Sequence, residues 1–358
     1  LNRGMGDGLR SVSTLNYNFN IGKNNVFSAL LGNEVLKSDS ESSQITGRGY
    51  PSTFDYDTTM GLIHTATTSF SATNSYSVPA RTVSFFGRLS YTFMDRYLFT
   101  GTFRADGSSK FAPDNRWGYF PAGAFAWRLS EEPFMKSLKP YISYLKLRGS
   151  YGIVGNDIVS DGSRFLYLPD AYTISTEKYG FGSIVNNVLA GAKESRIGNP
   201  NVTWETAAKQ NYGIDLHFFD SRLKTSFDYF IEHRKDILIS RNINPGYLAV
   251  SLPIVNMGKV NNKGFEVTAR WEDQIQNVRY HIGTNWGYAK NEIVFNDEIP
   301  QPYEWMRRTG RPVGQQFGYM YDGFFTEEEA ANYALLKGKE GGIPDHGEGF
   351  TPLAGDVK

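Results

Sequence analysis

The chain has 358 residues, with 37 lysines and arginines against 37 aspartates and glutamates and no cysteine. Zero net charge gives no footprint for nucleic acid, and the absence of cysteine excludes a disulfide framework, a thiolate metal site and a thiol nucleophile. No apolar run approaches the roughly 18 residues of a membrane helix, and the mean hydropathy is −0.41. Aromatics reach 15% and glycines number 37, a balance suited to stiff strands joined by tight turns.

Gly4, Gly6 and Gly8 read as a flexible opening, and Arg10 as the start of a strand rather than of a helix. Their spacing is therefore no phosphate loop. The first strand sets Leu15, Tyr17, Phe19 and Ile21 on one face against Thr14, Asn16, Asn18 and Asn20. A turn at residues 22–25 leads into a second strand ending near Leu36. Residues 38–81 are polar, rich in Ser and Thr, and without period.

The clearest signal follows. Val83, Phe85, Gly87, Leu89, Tyr91 and Phe93 alternate with Ser84, Phe86, Arg88, Ser90 and Thr92. Past Met94, Asp95 and Arg96 the pattern restarts, with Tyr97, Phe99, Gly101, Phe103 and Ala105 against Leu98, Thr100, Thr102, Arg104 and Asp106. A third run carries Tyr119, Pro121, Gly123, Phe125, Trp127 and Leu129. Strict period-two alternation means strands with one apolar and one polar face. Eleven residues at about 3.3 Å span about 36 Å, or about 25 Å when tilted near 45°, which is the apolar height of an outer-membrane barrel. Tyr91, Phe93, Tyr97 and Phe99 crowd the short-turn end, where rings favour a membrane–water interface. Pro121 cannot donate to a ladder and is expected near a strand start, at the long-loop side.

Residues 131–140 form a short connection with one helical turn. A sixth strand carries Leu145, Leu147, Gly149, Tyr151 and Ile153 outward, with Lys146, Arg148 and Ser150 inward. After residues 155–202 come a seventh strand (Tyr212, Ile214, Leu216, Phe218) and, past the turn at 220–222, an eighth (Thr225, Phe227, Tyr229, Ile231). Residues 233–258 are a third long excursion. A ninth strand shows Phe265, Val267, Ala269 and Trp271 against Glu266, Thr268 and Arg270. Past a connection at 272–277, a tenth runs from Val278 to Tyr288. From residue 291 the chain reads mostly as loop, with one surface helix at 326–337 opened by a Thr326/Glu329 capping box. Short turns at one end and long loops at the other predict an all-β, transmembrane antiparallel β-barrel with periplasmic turns and extracellular loops. The reading from another class is a soluble all-β adhesin or carbohydrate-binding module, which would bury Phe103, Leu147, Ile214 and Val267 in a core.

Catalytic chemistry finds no support. His64, His217, His233, His281 and His346 lack metal-ligand spacing, Glu131 and Glu132 read as a solvated turn, and Asp106 with Asp114 does not match a calcium loop. No cofactor and no catalytic residue is expected. The charges Arg88, Arg104, Arg148, Glu266 and Arg270 line the polar face, where they serve the substrate path or hold a plug by ion pairs. Tyr50, Phe54, Tyr56, Tyr303 and Trp305 in the long loops either stack on sugar rings or pack the loops.

Several segments resemble the SusC/RagA family of TonB-dependent outer-membrane transporters. They include Arg96-Tyr97-Leu98-Phe99-Thr100, the run from Phe103 through Asp106-Gly107-Ser108-Ser109-Lys110-Phe111, and Trp117-Gly118-Tyr119-Phe120-Pro121. Ala126-Trp127-Arg128-Leu129-Ser130 and Leu147-Arg148-Gly149-Ser150-Tyr151-Gly152 with Gly155-Asn156 are similar too. So are Asn199-Pro200-Asn201 with Trp204-Glu205, Asn256-Met257-Gly258 with Asn262-Lys263-Gly264-Phe265-Glu266, and the stretch from Gly314 to Phe325. The resemblance implies a barrel of about 22 strands around an N-terminal plug, energised through TonB. It also implies a SusD-like surface lipoprotein as partner and import of an oligosaccharide or peptide. About ten strands are read here, and no signal peptide opens the chain. The expectation is therefore a single barrel domain over 1–358, an internal piece without the plug, the TonB-contacting region or the final strands.

Overall fold

The computed structural model describes residues 2–48, 69–76, 80–158, 165–168, 173–180, 188–193, 197–242, 252–318, 321–338, 343 and 349–357. Tyr50, Phe54, Tyr56, His64 and His346 lie outside them.

The chain divides into two compact units, Leu1–Val313 and Gly314–Lys358. The first is built on one antiparallel sheet. Its strands are β1 (Asn2–Ile21), β2 (Asn25–Arg48), β3 (Ser69–Tyr76), β4 (Ala80–Phe93), β5 (Tyr97–Ser108), β6 (Trp117–Arg128) and β7 (Ile142–Asn156). After β8 (Thr173–Gly180) and β9 (Val188–Lys193), which pair only with each other, it continues with β10 (Glu205–Phe218), β11 (Leu223–Ile239), β12 (Val255–Ile275) and β13 (Val278–Phe295). The order β1-β2-β4-β5-β6-β7-β10-β11-β12-β13 is a meander, and β3 adds to the upper part of β2.

Every predicted strand is present, and several run further than the alternation does. The Gly4–Gly8 region is strand, with Gly8 opposite Ser38 and Gly4 opposite Ser42. Likewise β11 continues to Ile239, β12 begins at Val255 and β13 reaches Phe295. Where both faces are solvated, side chains need no longer alternate, but backbone groups still pair. The period therefore fades before the strand ends. Pro121 lies inside β6 opposite Phe103, and the ladder to β7 begins one residue later, at Ala122 opposite Gly152. The predicted 326–337 helix is two short ones, α1 (Glu327–Ala331) and α2 (Tyr333–Leu336), divided at Asn332, and the capping box is formed in both directions.

Among the described residues no core packs behind the apolar face of the sheet. Phe103 is 51% exposed, Leu89 52% and Trp286 67%, and Leu147 is also exposed; Ile214 and Val267 are half-exposed. A soluble module would bury them, so the soluble reading fails here. One register line crosses this face from edge to edge: Phe19, Phe27, Tyr91, Phe99, Phe125, Gly149, Tyr212, Tyr229, Phe265 and Tyr288 are successive cross-strand partners. Ring centroids along it lie 4.9 Å (Phe19–Phe27), 4.6 Å (Phe27–Tyr91) and 4.9 Å (Phe99–Phe125) apart. Such pairs add about 0.5–1.5 kcal/mol each beyond their area. From β1 to β6 the band lies towards the short-turn end, as the sequence predicts for Tyr91 and Phe99, whereas on β12 and β13 it crosses near mid-strand. Nearer the turn, Phe93, Tyr97 and Trp127 continue the ring contacts at 6.2 and 6.1 Å.

The packed apolar cluster of the first unit lies at the long-loop end, where Phe111, Phe120, Leu166, Val202 and Trp204 meet. Trp204 Nε1 donates to the Arg116 carbonyl at 3.0 Å, and Asn115 Nδ2 to that of Pro200 at 3.0 Å. Asn256 receives the Thr203 N–H at 2.9 Å and donates to the Thr203 and Asp236 carbonyls at 2.8 and 2.7 Å. Four of the segments carrying family-like motifs, around Phe111, Trp117–Phe120, Asn199–Trp204 and Asn256, thus converge on one clamp over the strand ends. The second unit has its own small core of Phe325, Tyr333 and Ile343.

Candidate functional site

On the polar face, strand register decides which charges meet. Glu34 on β2 lies opposite Ser84, which lies opposite Asp106, so Arg104 two residues before Asp106 can reach all three. Its Nε donates to Asp106 at 2.7 and 2.9 Å, and Nη2 donates to Glu34 at 3.0 Å and to the Ser84 hydroxyl at 2.9 Å. The guanidinium also covers the Phe86 ring at 5.4 Å. Arg10 takes the other Glu34 oxygen at 2.7 Å. Two cations thus meet two carboxylates, and the set is closed.

A second set centres on Arg148 of β7. Two parallel bonds of 2.6 Å join it to Asp228, and Nε reaches Asp215 at 3.3 Å. Bidentate guanidinium–carboxylate geometry of this kind is strong and directional. Arg148 can lie flat because Gly213 is its cross-strand partner: a β-carbon there would sit 2.5 Å from the guanidinium carbon. Lys146 adds a looser contact to Asp215 at 3.8 Å. This set too is balanced.

The remaining predicted charges are disposed differently. Arg88 and Glu266 are exposed on the polar face, and neither has an ion pair among the described residues. Arg270 is opposite Lys224, and one carboxylate, Glu272, bridges both cations at 2.5 and 2.8 Å. In front of Lys224 and Arg270 an open groove of about 750 Å³ is lined also by Tyr144, Asp215, His217, Ser226, Thr268, His281 and Asn285. Sequence reading named Arg270 there but missed Lys224, Tyr144 and Asn285. Once register is known, Tyr144, His217, Lys224 and Arg270 are successive partners across four strands, so parity on each strand was the available signal.

Tyr303 and Trp305 lie on the segment after β13, with rings stacked at 5.8 Å and 13° and with 61% and 62% exposure. The segment is tethered: Gly310 N–H donates to the Ile293 carbonyl at 2.8 Å, and Ile293 N–H to that of Arg311 at 2.9 Å. Glu298 accepts from the Arg308 and Thr309 N–H groups at 2.6 and 2.9 Å. Burial pushes the Glu298 carboxyl up, but these donors and the Thr309 hydroxyl outweigh it and hold the group below its ordinary value.

Neither rejected chemical site gains ground. Asp106 is occupied by Arg104, so it is no free calcium ligand. Glu131 pairs with Lys139 at 3.4 Å, while Glu132 is buried in a turn, accepting from Tyr97 Oη at 2.7 Å, Trp127 Nε1 at 3.0 Å and Arg96 at 3.3 Å.

Residues 2–336 match the family model described as TonB dependent receptor-like, beta-barrel. The TonB-dependent receptor SusC of Bacteroides thetaiotaomicron is 37% identical over 223 residues, 62% of this chain and 21% of that protein. TonB-dependent receptor P39 of Formosa agariphila is 35% identical over 252 residues, 69% of this chain and 23% of that protein. The chain spans about a quarter of the length of the curated relatives it matches. Among solved structures, the RagAB peptide transporter superposes with a TM-score of 0.68 at 21% identity, covering 82% of this chain and 31% of that one. The outer membrane transporter YddB of Escherichia coli gives 0.51 at 9%, covering 81% and 34%. At these identities the structural likeness is one of fold.

Proposed function

The chain belongs to the TonB-dependent receptor-like β-barrel family, and on that premise we propose that it forms part of the wall of an outer-membrane barrel that imports an oligosaccharide or a peptide. In this reading a plug and a TonB-contacting region are supplied by the rest of the protein, and a SusD-like surface lipoprotein is the partner at the long-loop end. The protein supplies a path and binding groups rather than bond chemistry, as the family consists of transporters.

The observation that carries the reading is the two-faced sheet. A broad apolar face stands exposed and is crossed by one aromatic line, while the opposite face gathers the charges. Lipid satisfies the first and an aqueous lumen the second. Within the lumen the closed sets around Arg104 and Arg148 stiffen the wall. Arg88, Glu266 and Arg270 keep groups available to the passing substrate, and the Tyr303–Trp305 stack offers a ring platform at the mouth.

The test is topology in the full-length receptor, expressed in a Gram-negative cell with single cysteines at Lys23, Asp114 or Arg307. A membrane-impermeant thiol reagent on intact cells is expected to label positions 114 and 307 and to spare 23. Equal labelling at all three, or recovery of the protein in the soluble fraction, would overturn the assignment.

A further inference from the structure

The aromatic line on the outward face follows the register, so it runs perpendicular to the strands, whereas the short turns share one side of the membrane. Tyr91 is two residues from the hairpin end at Phe93, Tyr212 six from Phe218, and Phe265 ten from Ile275. The line therefore climbs across the wall, as the strand tilt of roughly 35–45° in a barrel requires. Ten residues at about 3.3 Å, so tilted, rise about 25 Å, the height of the apolar band. Phe265 and Tyr288 thus stand at its upper edge, and the next outward rung lies among lipid headgroups on the long-loop side.

That rung is Lys263 opposite Lys290. Like charges directly opposite are unfavourable in a sheet, and neither lysine has a carboxylate within ion-pair distance among the described residues. Ile231, the partner of Lys263 on its other side, adds no charge. Two and four residues further up β12, on the same face, come Asn261 and Lys259, both exposed. Asn261 spends its carbonyl oxygen on His233 Nδ1 at 2.8 Å, and its amide N–H groups have no internal partner among the described residues. Glu292, opposite Asn261, is an acid in the patch, and Lys235 beside His233 is offset by Asp236 at 4.0 Å. Beyond β13 the chain returns, with Val313 N–H on Asn291 and Gly310 N–H on the Ile293 carbonyl, and it brings the cation Arg311. Lys259, Lys263 and Lys290 thus outnumber the acid on these rungs.

We propose that this outward patch holds the phosphate of an outer-leaflet lipid, with Lys263 and Lys290 closing on it from two strands and the Asn261 amide donating beside them. Two lysines whose β-carbons lie about 5 Å apart reach one phosphate together, and the anion between them removes their repulsion. Their four-carbon stems lie along the rings of the rung below while the ammonium groups rise into the headgroup layer. Beneath, exposed Trp286 and half-buried Val267 offer an apolar wall to acyl chains, for which a soluble anion has no use. The patch is on the opposite face from the substrate path, and the outer-membrane reading supplies the source of its ligand.

The full-length receptor in neutral detergent would be titrated with phosphorylated lipid A, with the same lipid after removal of its phosphates, and with inorganic phosphate. Native mass spectrometry reads the bound lipid. Lipid A should be retained in preference to its dephosphorylated form. Lys263→Gln should weaken that binding about fivefold, the worth of one lysine at an anionic surface, and Lys263→Arg should keep it. Replacing Lys259, Lys263 and Lys290 together by Gln should remove the preference. Lys37→Gln, which removes an outward cation that Asp39 already holds at 3.1 Å, should change nothing. Equal retention of the two lipids, a preference that survives the triple replacement, an equal loss in Lys37→Gln, or displacement of lipid A by inorganic phosphate at equal concentration would overturn the proposal. Such a result in a receptor whose positions 114 and 307 still label from outside removes the lipid site alone. Equal labelling at all three cysteine positions removes the barrel reading instead.

Discussion

Glu132 shows how a single carboxylate can hold a turn. The Tyr97 hydroxyl and then the Trp127 indole N–H, aided by the Arg96 charge, hold its carboxyl below the ordinary carboxylate range against the opposing effect of burial. A depressed folded value means that its contribution is fully present above the unfolded value of about 4.3. That contribution is lost as pH falls through the folded value. Urea midpoints of the refolded receptor should therefore drop between pH 6 and pH 3 by more in the parent than in Glu132→Gln. Parallel curves would show that the three donors do not favour the ionised form. At the same scale, Gly264 admits Phe230: a β-carbon there would lie 2.6 Å from the ring tip and 2.3 Å from the Tyr288 carbonyl oxygen. The glycine is thus a packing requirement of the polar face.

Among the elements, β4 and β5 express most cleanly what one strand can encode. Leu89 points to the apolar face and Ser90 to the polar one, where its hydroxyl lies 3.3 Å from that of Thr100. Leu89→Arg should cost about 2–4 kcal/mol if it is near the bilayer midplane, whereas Ser90→Arg should cost far less. Unfolding titrations of the barrel in lipid vesicles would read the difference, and equal costs would count against a lipid-facing Leu89. The alternation that makes these two residues so different is also what made the strands legible in sequence, together with the turn at Met94 and Asp95, both left-handed. What period two could not supply was the distance a strand runs beyond the membrane band, or which of two alternating sets opposes which. Arg104 and Arg148 were visible as inward charges. Their closed pairing depends on Glu34, Asp106, Asp215 and Asp228 falling in register across strands far apart in the chain. The aromatic pair at 303 and 305 was visible as residues but not as a stack, since no periodicity governs that segment.

For the sheet unit as a whole, some family-like motifs carry charges of the polar face, Arg104, Asp106, Arg148 and Glu266 among them, but several others mark the loop bases instead. Asp106 to Phe111, Trp117 to Pro121, Asn199 to Glu205 and Asn256 to Gly258 gather at the long-loop end around Trp204, which is 7% exposed. Their common role is to tie the loop bases to the strand ends. Trp204→Ala should cost about 3–5 kcal/mol, and on intact cells it should open protease cleavage sites in the exposed segments joined by that clamp. A variant as resistant as the parent would show that the loops are held from elsewhere.

The meander has a further consequence for how such a wall is assembled. Apart from the inserted β3 and the β8–β9 pair, each strand lies beside its predecessor in the sequence, so loop closure is short at every turn of one end, grows only slowly in cost at the long-loop end, and the sheet can grow hairpin by hairpin. In hydrocarbon an unpaired backbone group costs several kcal/mol, yet a sheet built in this order carries only two bare edges at any stage, however many strands have been laid down. Insertion is then a process of constant rather than mounting exposure, and the aromatic line gives every arriving hairpin a ring, or at β7 a glycine, against which to set its height.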